Sequence, residues 1–184
     1  MEYNSLYLDV VQKYNSHNKI LFNKNSKSLQ PLVNLISQQN HRTLILWAFD
    51  IVEDIYRHID SKFICHPIIL NAIKLCKFWS KGQIKMSQAK SAILEVHSLA
   101  KETTNPSVIA NLHAIGQGLS TVHVKTHALG IVYYELTSLV LENGIINFED
   151  IIDERINHYT RKLLYFQSNI ETLSQEWARF LQND

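Results

Sequence analysis

The densest run of chemically capable side chains in this 184-residue protein is His113-Ala-Ile-Gly116-Gln117-Gly-Leu-Ser-Thr121-Val-His123-Val-Lys-Thr-His127-Ala-Leu-Gly130. Read as one helix, it places His123 and His127 four residues apart on the same side. That is the spacing by which a helix presents two imidazoles to a single metal ion. A metal site also needs a third ligand and usually a carboxylate. No HExxH occurs, and the nearest acid, Glu135, lies two turns beyond His127. His97, on the preceding helix, and His113 are the further imidazoles able to reach the same layer. The competing reading is that these histidines are packed core groups, each bonded to a hydroxyl or a backbone carbonyl. The incomplete ligand set favours packing. No metal, no cofactor and no catalytic residue are expected, with His123 and His127 kept as the alternative metal pair of a helical enzyme.

Glycine inside a helix costs ~1 kcal/mol relative to alanine, so Gly116, Gly118 and Gly130 call for a reason. Ala110, Ala114, Gly118 and Thr121 fall on one flank, where small residues admit a neighbouring helix. A phosphate-binding loop does not fit, because no strand precedes the glycines and GxxxxGK[ST] is absent. Trp47-Ala-Phe-Asp50 and Trp79-Ser-Lys-Gly82 place two tryptophans near helix ends as core anchors or lids. A buried Asp50 would need a cationic or hydroxyl partner, whereas Glu53 and Asp54 are expected to be solvated. Asp60-Ser61-Lys62 reads as an ordinary polar helix end. No Ser-His-Asp or Cys-His arrangement can be read from the order of residues.

The elements that must position these groups are helices. Gly 5 and Pro 3 stand where average usage of ~7% and ~5% would give about 13 and 9. Sheet proteins spend those residues on a turn every 8–12 positions, so the chain is expected to be all-α. An apolar share of 46% supports a real core. Short helices are expected from Tyr3 to Tyr14 and after Pro31, with a polar loop from His17 to Gln30 between them. A stronger helix follows from Thr43 to Ile59. Pro67 opens another that stops near Lys81-Gly82, and Ser87 caps one reaching Lys101. Asn105-Pro106 starts a helix expected to run to Leu141, apolar on nearly every side and therefore buried. It is ended by Asn143-Gly144. Asn147 then caps a long last helix, 147–182. The expectation is one domain, 1–184, of six to eight bundled or orthogonal helices around a buried central helix, 106–141.

Net charge +1 argues against a general nucleic-acid partner. Cys65 and Cys76, with no CxxC, read as reduced core thiols, with a disulfide between them as the lesser alternative. The start, MEYNSLYLDV, lacks the basic and apolar stretches of a signal peptide. The longest apolar run, Ala128 to Tyr134, is far short of the ~20 residues of a membrane span. A cytoplasmic protein with no membrane partner is the expectation.

WAFD (47–50), Pro67 with Ala72, Trp79-x-x-Gly82-x-Ile84, QAKSAILEVHSLAK (88–101) and GQGLSTVHVKTHALG (116–130) together resemble one group. It is the immunity-family-five-like domain of bacterial polymorphic-toxin systems. The resemblance spans about Leu44 to Tyr134. It implies an all-helical protein encoded beside a toxin, which it binds and blocks. Gly116, Gln117, Thr121, His123, His127 and Gly130 correspond to the shared string. The chain departs from the pattern in flanking Pro67 with His66 and Ile68 in place of basic residues. Lys90 replaces the usual Arg, and Gly118 the usual alanine. A cognate protein toxin is thus the implied partner. A helical module pairing with a second copy through its last helix is the remaining alternative.

Overall fold

The helix starts obey local chemistry. The Asn105 carboxamide accepts hydrogen bonds from the Ser107 and Val108 N–H groups, and Pro106 fills the first turn, where no N–H is required. Pro31 and Pro67 occupy the same place in their own helices. The structure, a computed structural model, describes residues 3–63, 66–146 and 148–182. Its eight helices are α1 (Leu8–Asn15), α2 (Gln30–Ser37), α3 (His41–Phe63), α4 (Pro67–Ser80), α5 (Met86–Leu99), α6 (Pro106–Ser120), α7 (His127–Asn143) and α8 (Phe148–Asn169). Short 3-10 turns lie at Lys27–Leu29 and Arg179–Leu181, and no strand occurs among the described residues. The all-α expectation holds. None of the described helices is long and apolar enough to cross a membrane.

The expected single helix over 106–141 is two helices. Residues 121–126 turn the chain back, so α6 and α7 form a hairpin. The hydroxyls of Ser120 and Thr121 donate to the carbonyls of Gly116 and Gln117 at 2.8 and 3.3 Å. Such back-bonding weakens the helical ladder. His41 Nε2 lies 2.6 Å from the Thr121 carbonyl and can donate to it, satisfying an acceptor left over at a helix end. Four of the six turn residues, Thr121, Val122, Val124 and Thr126, are β-branched and poor helix formers.

α6 packs against α7, α3 and α5, while α8 crosses α3 and α7. Gly118 sets the α3 approach, because a Cβ there would stand 2.2 Å from Val52 Cγ2. Ala110, Ala114 and Thr121 on the same flank are buried, as the small-residue stripe requires.

Three further boundaries differ from the sequence reading. α5 begins at Met86 and not after a Ser87 cap, with the Lys85 N–H bonded to Gln88 Oε1 at 3.1 Å. α1 begins at Leu8, not Tyr3. The last helix stops at Asn169 and does not reach 182. There the Asn169 carbonyl accepts from the Thr172 and Leu173 N–H groups, and the tail returns to α4 through Ala178 N–H to the Ser80 carbonyl, 2.8 Å. The Asn147 cap and Cys65 lie outside the described residues. Cys76 is a buried thiol whose pKa burial pushes up to about 12.

Candidate functional site

The glycine-histidine string is assembled where α5, α6 and the start of α7 meet. His97, on α5, lies flat against α6 at Gly116: a Cβ at 116 would stand 2.4 Å from its Cε1. Only glycine admits the ring there. His97 Nδ1 is 3.1 Å from His113 Nδ1, so one ring donates and the other accepts. The far side of His113 meets the Tyr134 ring at 5.2 Å. Gly130 performs the same service for Gln117, whose Oε1 would be 2.5 Å from a Cβ at 130. That oxygen accepts from His127 Nδ1–H at 2.7 Å, which fixes the tautomer and leaves Nε2 as the unprotonated nitrogen of the neutral ring.

His123 and His127 therefore do not share a helix face. His123 sits in the 121–126 turn, exposed, with its ring 5.9 Å from that of Trp79. Trp79 is covered in turn by Phe180 at 5.9 Å. Gly82, left-handed at φ +73°, ends α4 beside this corner and faces Ala178 of the returning tail. Trp79, Gly82, His97, Gly116, Gln117, Thr121, His123, His127 and Gly130 thus gather at one edge of the molecule.

Burial lowers the pKa of His97, with the neighbouring His113 and His127 adding to the effect. Burial also lowers His113. His127 is lowered by burial first and by His123 second. Burial thus favours the neutral imidazole at all three. Among the described residues no three His, Cys, Asp or Glu side chains are placed to hold one metal ion. A cavity of about 170 Å³ opens at this edge, with Trp79, Lys90, Leu94, His97, His123 and His127 in its lining. His113 faces the other way, into a larger cleft of about 560 Å³ between α6, α7 and the 14–21 segment.

Trp47 and Asp50 lie elsewhere, in the α3–α8 seam. Trp47 is fully buried, its Nε1–H donating to the Tyr159 carbonyl at 3.1 Å. Asp50 is paired with Lys162 at 2.9 Å, the cation that partial burial requires. The seam also holds a charged network that the sequence reading did not find. Arg155 Nη2 is 2.7 Å from Glu135 Oε1, and the Tyr159 hydroxyl donates to Glu135 Oε2 at 2.6 Å. Asp54 is not simply solvated: it meets Arg57 at 2.9 Å, His158 at 3.0 Å and Arg155 at 4.0 Å. Burial presses the Glu135 carboxyl upward, against the opposing pull of Arg155 and Tyr159. A lone acid inside the apolar run GIVYYELTSLV was the available signal, since such a charge demands a cation from another element.

The central hairpin of this all-helical fold thus spends Gly116 and Gly130 on seating histidine and glutamine side chains. Residues 34–162 match the family model described as Imm-5 like putative immunity protein, and the chain belongs to that family. The match reaches beyond 44–134, taking in the end of α2 and most of α8. No curated protein and no solved structure is a match.

Proposed function

We propose that this protein protects a bacterial cell by binding a cognate toxin of a polymorphic-toxin system in the cytoplasm and occluding it. The observation that carries this reading is the family match over 34–162. The site supports an occluder in preference to an enzyme. His127 is tied to Gln117 and His97 to His113, so these imidazoles are engaged with each other and with an amide. The near-neutral net charge of +1 does not suit an overall acidic mimic of nucleic acid, so recognition belongs to a local surface.

The test is titration of the toxin domain encoded beside the gene against this protein, with toxin activity and complex mass as readouts. The expected result is a one-to-one complex and inhibition that is complete only at equal molar amounts. Inhibition by a small fraction of an equivalent would mark turnover and restore the enzyme reading. Self-association with no toxin binding would leave the oligomerising module.

A further inference from the structure

Met86, Lys90 and Leu94 recur every four residues along α5 and form one stripe. All three are exposed, Leu94 by 57%. Across the small cavity stands Trp79, with the half-exposed Phe180 against it. Exposed apolar groups gathered round a cavity mark an interaction surface. On the α5 side, between 81 and 97, the chain carries Lys81, Lys85 and Lys90 against the single acid Glu95, while the tail beside Phe180 adds Glu176 and Arg179. No acid lines the cavity. The charged side chain in its lining is Lys90, while His127 Nε2, unprotonated once Gln117 takes the Nδ1 proton, is an acceptor. At about 170 Å³ the cavity suits one inserted side chain; pockets for small molecules run to ~300 Å³ and above.

We infer that this face, centred on Lys90, is where the toxin docks, and that the toxin brings to it an acidic side chain flanked by apolar ones. The carboxylate enters the cavity beside Lys90, whose ammonium donates to it, while Met86, Leu94 and Phe180 cover the flanking apolar groups. This rests on the immunity reading of the chain. It goes beyond it in naming the surface and the chemistry that fits it.

The experiment compares wild type, Lys90→Glu, Leu94→Glu and a control, Leu164→Glu on α8, for binding to the toxin domain encoded beside the gene. All three substitutions fall on exposed side chains, and circular dichroism confirms that each variant is folded. Lys90→Glu and Leu94→Glu should each weaken binding by about 30-fold or more, the loss typical of a central interface residue, with the control within about threefold. Changing one toxin Asp or Glu to Lys should restore binding to Lys90→Glu, and wild-type affinity should fall with added salt. Wild-type binding that Lys90→Glu and Leu94→Glu leave unchanged overturns the surface and spares the immunity reading. Loss in Leu94→Glu alone, without salt dependence, overturns the acidic partner. A wild type that binds no toxin, or that binds RNA or a second copy through Lys90, overturns both.

Discussion

The histidine edge at α5–α7 and the charged seam at α3–α7–α8 both keep titratable groups away from water, but they satisfy them in opposite ways. In the seam, Glu135 finds Arg155 and Tyr159, and Asp54 finds Arg57, so the charges close on one another, with His158 hydrogen-bonded to Asp54. At the edge, neutral imidazoles share protons with each other and with Gln117, beside a cavity open to a guest. The seam is a device for joining helices. The edge joins helices too, yet leaves a cavity open with Lys90 in its lining.

The seam should break hardest. Glu135→Leu leaves the largely buried Arg155 over the Tyr159 ring with the distant Asp54 as its remaining counter-charge, and a buried pair broken on one side costs about 3 kcal/mol or more. Urea denaturation checks this. The double variant Glu135→Leu, Arg155→Met should lose less than Glu135→Leu alone, because no uncompensated charge remains. A double variant as unstable as the two single losses added together would show that the seam does not act as a unit.

The two glycines of the edge sharpen the contrast at smaller magnitude. Gly116→Ala gains ~1 kcal/mol of helix propensity but drives a Cβ into the His97 ring, for a net loss of about 1–2 kcal/mol. Gly130→Ala meets the flexible end of Gln117, and its ~1 kcal/mol helix gain roughly offsets the hydrogen bond lost to His127. Thermal melting separates the two, and imidazole NMR signals should report a moved His97 in one and a released His127 in the other. Equal melting temperatures would mean that His97 is not rigidly seated.

The smallest effect is on pH dependence. His97, His113 and His127 have lowered pKa values in the folded protein, so between their unfolded value of ~6.5 and the folded values the unfolded chain binds more protons. Their contribution is therefore intact above that range and is lost as pH falls through it. The urea midpoint should decline from pH 7.5 to 6, above the usual range of carboxylate titration. His113→Gln should flatten the slope, and an unchanged slope would show that the edge is better solvated than its packing implies.

Much of the fold was legible because its punctuation is local. Pro31, Asn105-Pro106 and Asn143-Gly144 mark helix ends by backbone chemistry that no distant residue can alter. Pro67 does the same at the start of α4. The break at 121–126 was missed because Val122 and Ala128 keep the apolar periodicity running through the turn, and both are buried. The β-branched TVHVKT segment was the signal to heed. The close packing expected of Gly116, Gly118 and Gly130 is met, each by a different neighbour.

By itself the sequence determined the helical class, most helix starts, and the membership in an immunity family that its GQGLSTVHVKTHALG string carries. Each of these depends on residues near one another in the chain, where spacing is geometry. The tertiary structure alone decided that His97 rests on Gly116, that Gln117 holds His127, and that Glu135 meets Arg155. It also decided that the tail returns to cover Trp79. Such pairings depend on which helix faces which, and that is chosen by burying the whole core at once and not by any local preference.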